Sequence, residues 1–195
     1  MMTNKRVFTF FSFVVLILIM ICMGSVRAEK PETLTWVKTE AYGPHERKTV
    51  LQFYFHDIIS GDSPTVALIA RPIGSNNTDR LAFGTLNMAD DPLTISPDPN
   101  SKLIGRAQGL FGTASQEGVN FIMGLTCGFV DGIYNGSTVV IFGRNSIMNP
   151  VREFPVVGGT GLFRMARGYA VAHTYSFNLT SLNAVVGYNV TIFHP

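Results

Sequence analysis

Apolar residues recur at every second position over much of this chain, and nowhere does a spacing of three or four residues persist, a pattern that favours strands over helices. Val119, Phe121, Met123, Leu125, Cys127 and Phe129 fall on one face, with Asn120, Gly124, Thr126 and Gly128 opposite. Near the C-terminus Ala184, Val186, Tyr188, Val190 and Ile192 share a side, and Asn183, Asn189 and Thr191 take the other. Turn-forming runs divide the apolar stretches: Ser60-Gly61-Asp62, Gly74-Ser75-Asn76-Asn77, Pro97-Asp98-Pro99-Asn100 and Asn135-Gly136. Short strands joined by such turns predict an all-β domain with glycine-rich strands, either a sandwich or a closed barrel.

Residues 1–28 read differently. Lys5 and Arg6 precede the apolar run Val7 to Met23, and Val26-Arg27-Ala28 offers small residues for signal peptidase, so a secretory signal peptide cleaved after Ala28 is expected. That segment carries Lys5, Arg6, Arg27 and no acid, so its loss changes the balance from 15 basic and 13 acidic residues to 12 and 13. A nearly neutral chain without clustered Lys and Arg is a poor nucleic-acid binder. Cys22 leaves with the signal, Cys127 cannot form an internal disulfide, and its place on an apolar face makes it a buried, inert thiol. No later run is apolar enough to span a membrane, so none is expected to hold the cleaved chain. Residues 29–49 are polar and aperiodic and read as an N-terminal arm, and 50–195 read as one domain. Sequons at Asn76, Asn135, Asn178 and Asn189 are candidate glycosylation sites, and alternation turns Asn189 outward.

In Val50 to Ile59, the positions Leu51, Phe53, Phe55, Asp57 and Ile59 share a face, so an acid continues an apolar row. A carboxyl there must be paired, protonated or open to a solvated cavity, which makes Asp57 a functional candidate; the alternative is a cap on the turn that follows. His56 points the other way, and His45, His173 and His194 lack metal-ligand spacing, so no metal is expected. Gly158-Gly159-Thr160-Gly161 has neither nucleotide-loop spacing nor a βαβ setting and reads as a tight turn. Arg106, Arg144, Arg152, Arg164 and Arg167 lie in or beside apolar strands and need carboxylates, carbonyls or a ligand's oxygens as partners.

FYFHDI (Phe53 to Ile58), GRAQG (Gly105 to Gly109), YNGST (Tyr134 to Thr138), GRN (Gly143 to Asn145) and REFPVVGGTGLFRMARGYA (Arg152 to Ala170) together resemble the plant dirigent family, in order, from about Val50 to the C-terminus. The resemblance implies an eight-stranded antiparallel barrel of the dirigent and allene oxide cyclase type with a pocket at its mouth. It further implies a homo-oligomer, commonly a trimer, secreted to the apoplast or cell wall. No cofactor is implied: a separate laccase or peroxidase makes phenoxy radicals from monolignols, and the barrel orients them for lignan and other phenylpropanoid products. Some relatives are enzymes that remove water from quinone-methide precursors and close a ring, as in pterocarpan formation. By motif, Asp57 is the pocket acid, Arg152 its cationic partner and Phe111 a pocket aromatic, while Arg106 helps hold that wall.

Two departures bear on activity. Asn145 stands where lignan-forming members tend to carry Asp, and an amide cannot supply a proton; Leu182-Asn183-Ala184-Val185-Val186-Gly187-Tyr188 replaces the GDAVVEY of many relatives. The expectations, in order, are stereochemical guidance of radical coupling to a small phenolic product, an isoflavanol dehydratase-type reaction, and a wall-organising role without chemistry.

Overall fold

A computed structural model describes residues 34–74 and 81–195; the signal segment and the Asn76 sequon lie outside them. Ten strands follow one another, all antiparallel: β1 (Val37–Ala41), β2 (Arg47–Asp57), β3 (Val66–Ala70), β4 (Leu86–Thr94), β5 (Leu103–Thr113), β6 (Asn120–Phe129), β7 (Thr138–Ser146), β8 (Val151–Thr160), β9 (Arg167–Phe177) and β10 (Ala184–His194). Single 3₁₀ turns at Gly132–Tyr134 and Gly161–Phe163 are the only helical elements among the described residues.

The sheet order is β1-β2-β10-β9-β8-β7-β6-β5-β4-β3, and a further pairing of β2 with β4 closes the ring. That closure, through Tyr54–Thr94 and Phe55–Leu93, makes an eight-stranded antiparallel barrel. Closure leaves the eight strands without a free edge; β1 and β3 are added along β2 and β4. The stretch read as an arm therefore contains strand β1, and β2 begins at Arg47, slightly ahead of the expected domain start at residue 50.

The alternation seen in the sequence sorts inside from outside. Leu51, Phe53 and Phe55 of β2 oppose Val190, Tyr188 and Val186 of β10, and all six are buried. Met123, Leu125 and Cys127 of β6 oppose Phe111, Gly109 and Ala107 of β5. At Gly105 and Gly109 the strands approach so closely that a Cβ would run into the Gly128 and Gly124 carbonyls, so β5 can coil tightly against β6 only with glycine there.

The two ends of the barrel are built differently. At one, Trp36 stacks on Phe129 and meets Tyr134 edge-on, and Phe163 packs against Phe129, Tyr134 and His194. Trp36 Nε1 donates to Asp131 Oδ2 at 2.8 Å, and Lys102 reaches Asp131 Oδ1 at 2.8 Å, which closes this end. Polar inward residues gather at the other end, where β2, β5 and β7 stop and β4, β6, β8 and β10 start.

Candidate functional site

Asp57 is the last residue of β2, opposite Ala184 of β10, and continues the inward row Leu51, Phe53, Phe55. Its Oδ1 is buried and has no hydrogen-bond partner. Burial pushes the carboxyl up to about 7, because the charged form loses its hydration. His56, on the other face, meets Thr94 Oγ1 through Nε2 at 2.7 Å, so neighbouring residues diverge and share no site.

Arg152 lies on the inward face of β8 with Phe154 and Val156 and is 7% exposed. Its Nη1 donates to Thr174 Oγ1 at 2.7 Å and to the Ile147 and Asn149 carbonyls at 3.4 and 3.5 Å; its buried Nε has no acceptor. None of the ion pairs among the described residues involves it. Burial lowers its proton affinity, and Tyr188 opposes that shift. A guanidinium held by neutral acceptors at the open end of a barrel keeps its charge available for an anionic oxygen.

Phe111 and Asn145 complete the same end. The Phe111 ring lies 5.3 Å from that of Phe121, and Phe121 is the register partner of Asn145. Asn145 Nδ2 sits 3.8 Å from Met123 Sδ while its Oδ1 is buried without a donor. Arg106 does not join them. It is an even position on β5 beside inward Ala107, so alternation sends it outward, where Nε binds Asp90 Oδ1 at 2.6 Å in a half-exposed ion pair. The expected part in the pocket wall is thereby corrected: Arg106 ties β5 to β4 from outside.

One inward residue, Asp91, has no place in the sequence reading, and a second, Tyr188, figures there only as part of an apolar face. Asp91 of β4 is 0% exposed and follows Ala89 and precedes Leu93 on the inner face. Thr65 Oγ1 donates to its Oδ1, and its Oδ2 is buried and unpartnered. Burial, then the Asp57 charge, pushes this carboxyl up to about 8. Tyr188 stacks 5.7 Å from Phe53 and feels the charges of Arg152, Asp57 and Asp91; burial drives its phenol well above the usual range. The signal for Asp91 was the one that revealed Asp57, an acid continuing an apolar row. Asp90 and Pro92 beside it interrupt the alternation that marks a strand.

Burial drives the Cys127 thiol up to about 12, in keeping with its reading as an inert core residue. The Gly158 to Gly161 run ends β8, and a Cβ on Gly159 would stand 2.7 Å from the Phe163 carbonyl oxygen, so close backbone packing accounts for it. Asn135, Asn178 and Asn189 are exposed. The interior thus offers two carboxyls able to hold a proton near neutrality, a cation on the other side of Tyr188, and an aromatic wall.

Comparison with known proteins gives a consistent result. A family model described as Dirigent-like protein matches residues 48–193. Dirigent protein 23 of Arabidopsis thaliana is 52% identical over 76% of this chain and 79% of its own length. Pterocarpan synthase 1 of Glycine max is 49% identical over 76% of this chain and 80% of its own. The solved structure of a pterocarpan synthase dirigent protein superposes with a TM-score of 0.74 at 46% identity, covering 80% of this chain and 89% of that one.

Proposed function

The chain belongs to the dirigent family, and from that membership we propose that it takes a small phenolic alcohol into the open end of its barrel and drives stereoselective loss of water and ring closure, as a pterocarpan synthase-like enzyme. One observation carries this choice over radical guidance: Asp57 stands inside the barrel as a carboxyl that keeps a proton near neutrality, and a dehydration needs such an acid whereas orientation of radicals does not.

The atoms balance without an oxidant. Asp57 gives its proton to the benzylic hydroxyl of an isoflavanol-type substrate as the carbon–oxygen bond breaks, and the electron pair comes from a phenolic oxygen that loses its proton. Water leaves, and the ring becomes a quinone methide. A second phenol then adds its oxygen to the benzylic carbon, the electrons return to the first oxygen, and the released protons restore the acid and the phenol. Arg152 faces the oxygen whose negative charge develops, and Phe111 with Phe121 holds the ring so that one face of the benzylic carbon meets the nucleophile. Secretion after cleavage at Ala28 and assembly with further copies of the chain belong to the same proposal. N-terminal sequencing of the exported protein and light scattering check them.

The experiment supplies purified protein with a stereochemically pure 2′-hydroxyisoflavanol and no oxidant, and resolves the product by chiral chromatography. A single enantiomer of the cyclised product, formed faster than without protein, is expected. No turnover there, together with enantiomeric excess from coniferyl alcohol and a separate laccase, overturns the dehydration reading in favour of guided radical coupling. Failure in both assays with retention on wall material points to an organising role.

A further inference from the structure

Strands β2 and β4 close the barrel through Tyr54–Thr94 and Phe55–Leu93. Two residues farther along each strand in the same antiparallel register, on the inward face, stand Asp57 and Asp91. Thr65 fixes their spacing: the Ile58 N–H donates to Thr65 Oγ1 at 3.1 Å, and the same hydroxyl donates to Asp91 Oδ1. Backbone bonds from Thr65 N to the Ile58 carbonyl at 2.8 Å and from Asp90 N to the Thr65 carbonyl at 2.9 Å lock the arrangement. Each carboxyl is left with one buried oxygen that nothing in the protein satisfies, Oδ1 of Asp57 and Oδ2 of Asp91.

We propose that Asp57 and Asp91 titrate as one coupled pair in the barrel, with Asp91 as the positioning residue that retains its own proton and leaves Asp57 as the acid that gives one to substrate. The proposal rests on the dehydration reading for its use of the proton, but not for the pair itself. Two carboxylates cannot both ionise cheaply among Ala89, Leu93, Ala107 and Phe55, so the charge that forms first, on Asp57, helps to hold the proton on Asp91. The groups that face the pair are few. Tyr188 on β10 is neutral, Arg152 on β8 acts on Tyr188, and Asp90 and Arg106 act on Asp91 from outside the wall in opposite senses and as an ion pair. Among the described residues Thr65 is the one donor to the pair; it opposes the rise at Asp91 without reversing it, so the last proton stays on Asp91.

The test reads the proton directly. Protein labelled with ¹³C at the aspartate carboxyls is titrated from about pH 4 to about pH 9 as wild type, Asp57→Asn, Asp91→Asn and Thr65→Val, without substrate. Both carboxyls of the wild type should titrate near or just above neutrality, Asp57 before Asp91. Asp57→Asn should raise the acidity of Asp91 about tenfold or more, Asp91→Asn should leave Asp57 near its wild-type midpoint, and Thr65→Val should shift Asp91 upward in pH. Should Asp91→Asn fail to fold by circular dichroism, Asp57→Asn and Thr65→Val still report on Asp91. An unchanged Asp91 midpoint in Asp57→Asn overturns the pair. Coupled titration without turnover of any isoflavanol keeps the pair and removes the proposed function; turnover without coupling does the reverse.

Discussion

The amide of Asn has the shape of the carboxyl of Asp and no proton to give, so Asp57→Asn separates chemistry from packing. Turnover of an isoflavanol should fall about 10²- to 10⁴-fold with an unchanged circular dichroism spectrum; steady-state assay at pH near 6 measures it, and full activity would leave Asp57 a structural cap. The same carboxyls set how stability responds to pH. In the folded barrel Asp57 and Asp91 hold protons up to about 7 and about 8, whereas an unfolded aspartate releases its proton near 4. Between those limits the folded state binds more protons, so stability is fullest on the acid side and declines as pH rises through the window. Calorimetry should find a lower Tm at about pH 8 than at about pH 5, and Asp91→Asn, which keeps an acceptor for Thr65, should flatten that slope. A Tm that rises across the interval would mean that the two acids are ionised in the folded protein.

Strand β1 shows what patterning can and cannot reveal. Four of its five residues are exposed, so it carries no alternation to read, and its existence follows from hydrogen bonding along β2 rather than from burial. Its anchor is the preceding residue, Trp36, 3% exposed and stacked 5.3 Å from Phe129. Trp36→Ala should therefore cost about 3–5 kcal/mol in urea denaturation, as emptying a buried aromatic site does; a loss below about 1 kcal/mol would make the segment a loose arm. The barrel strands were legible because each buries one face, which is why β6 and β10 appear in the sequence almost as they fold. Within the site, Asp57 was legible on its clean apolar row, Arg152 was legible only as one of five arginines in need of partners, and Phe111 and Asn145 entered by family resemblance. Asp91 was hidden because ADDPL mixes acids with proline, and the closure of β2 on β4 that places it beside Asp57 joins segments far apart in the chain. Arg106 shows the opposite failure, since a motif names a residue without saying which face it takes.

At the scale of the whole barrel, stability and selectivity reside at different ends. Phe163 is 0% exposed in the closed end, packed between Tyr134 at 5.4 Å and His194 at 5.3 Å, while Phe111 lines the end that holds Asp57, Asn145 and Arg152. Each ring can be shortened to leucine, which keeps the site apolar and removes the flat face. In Phe163→Leu the lost packing should lower stability by roughly 1–2 kcal/mol, with the enantiomeric excess of the product unchanged, because the β2–β10 ladder that runs between the two ends is unbroken. Phe111→Leu should cost a similar amount of stability and also erode the enantiomeric excess, because the substrate ring loses the wall that presents one face to the nucleophile. Urea denaturation and chiral chromatography on the same two preparations separate these effects. Equal erosion in both variants would mean that the barrel transmits packing from end to end and that selectivity belongs to its overall shape rather than to the wall around Asp57.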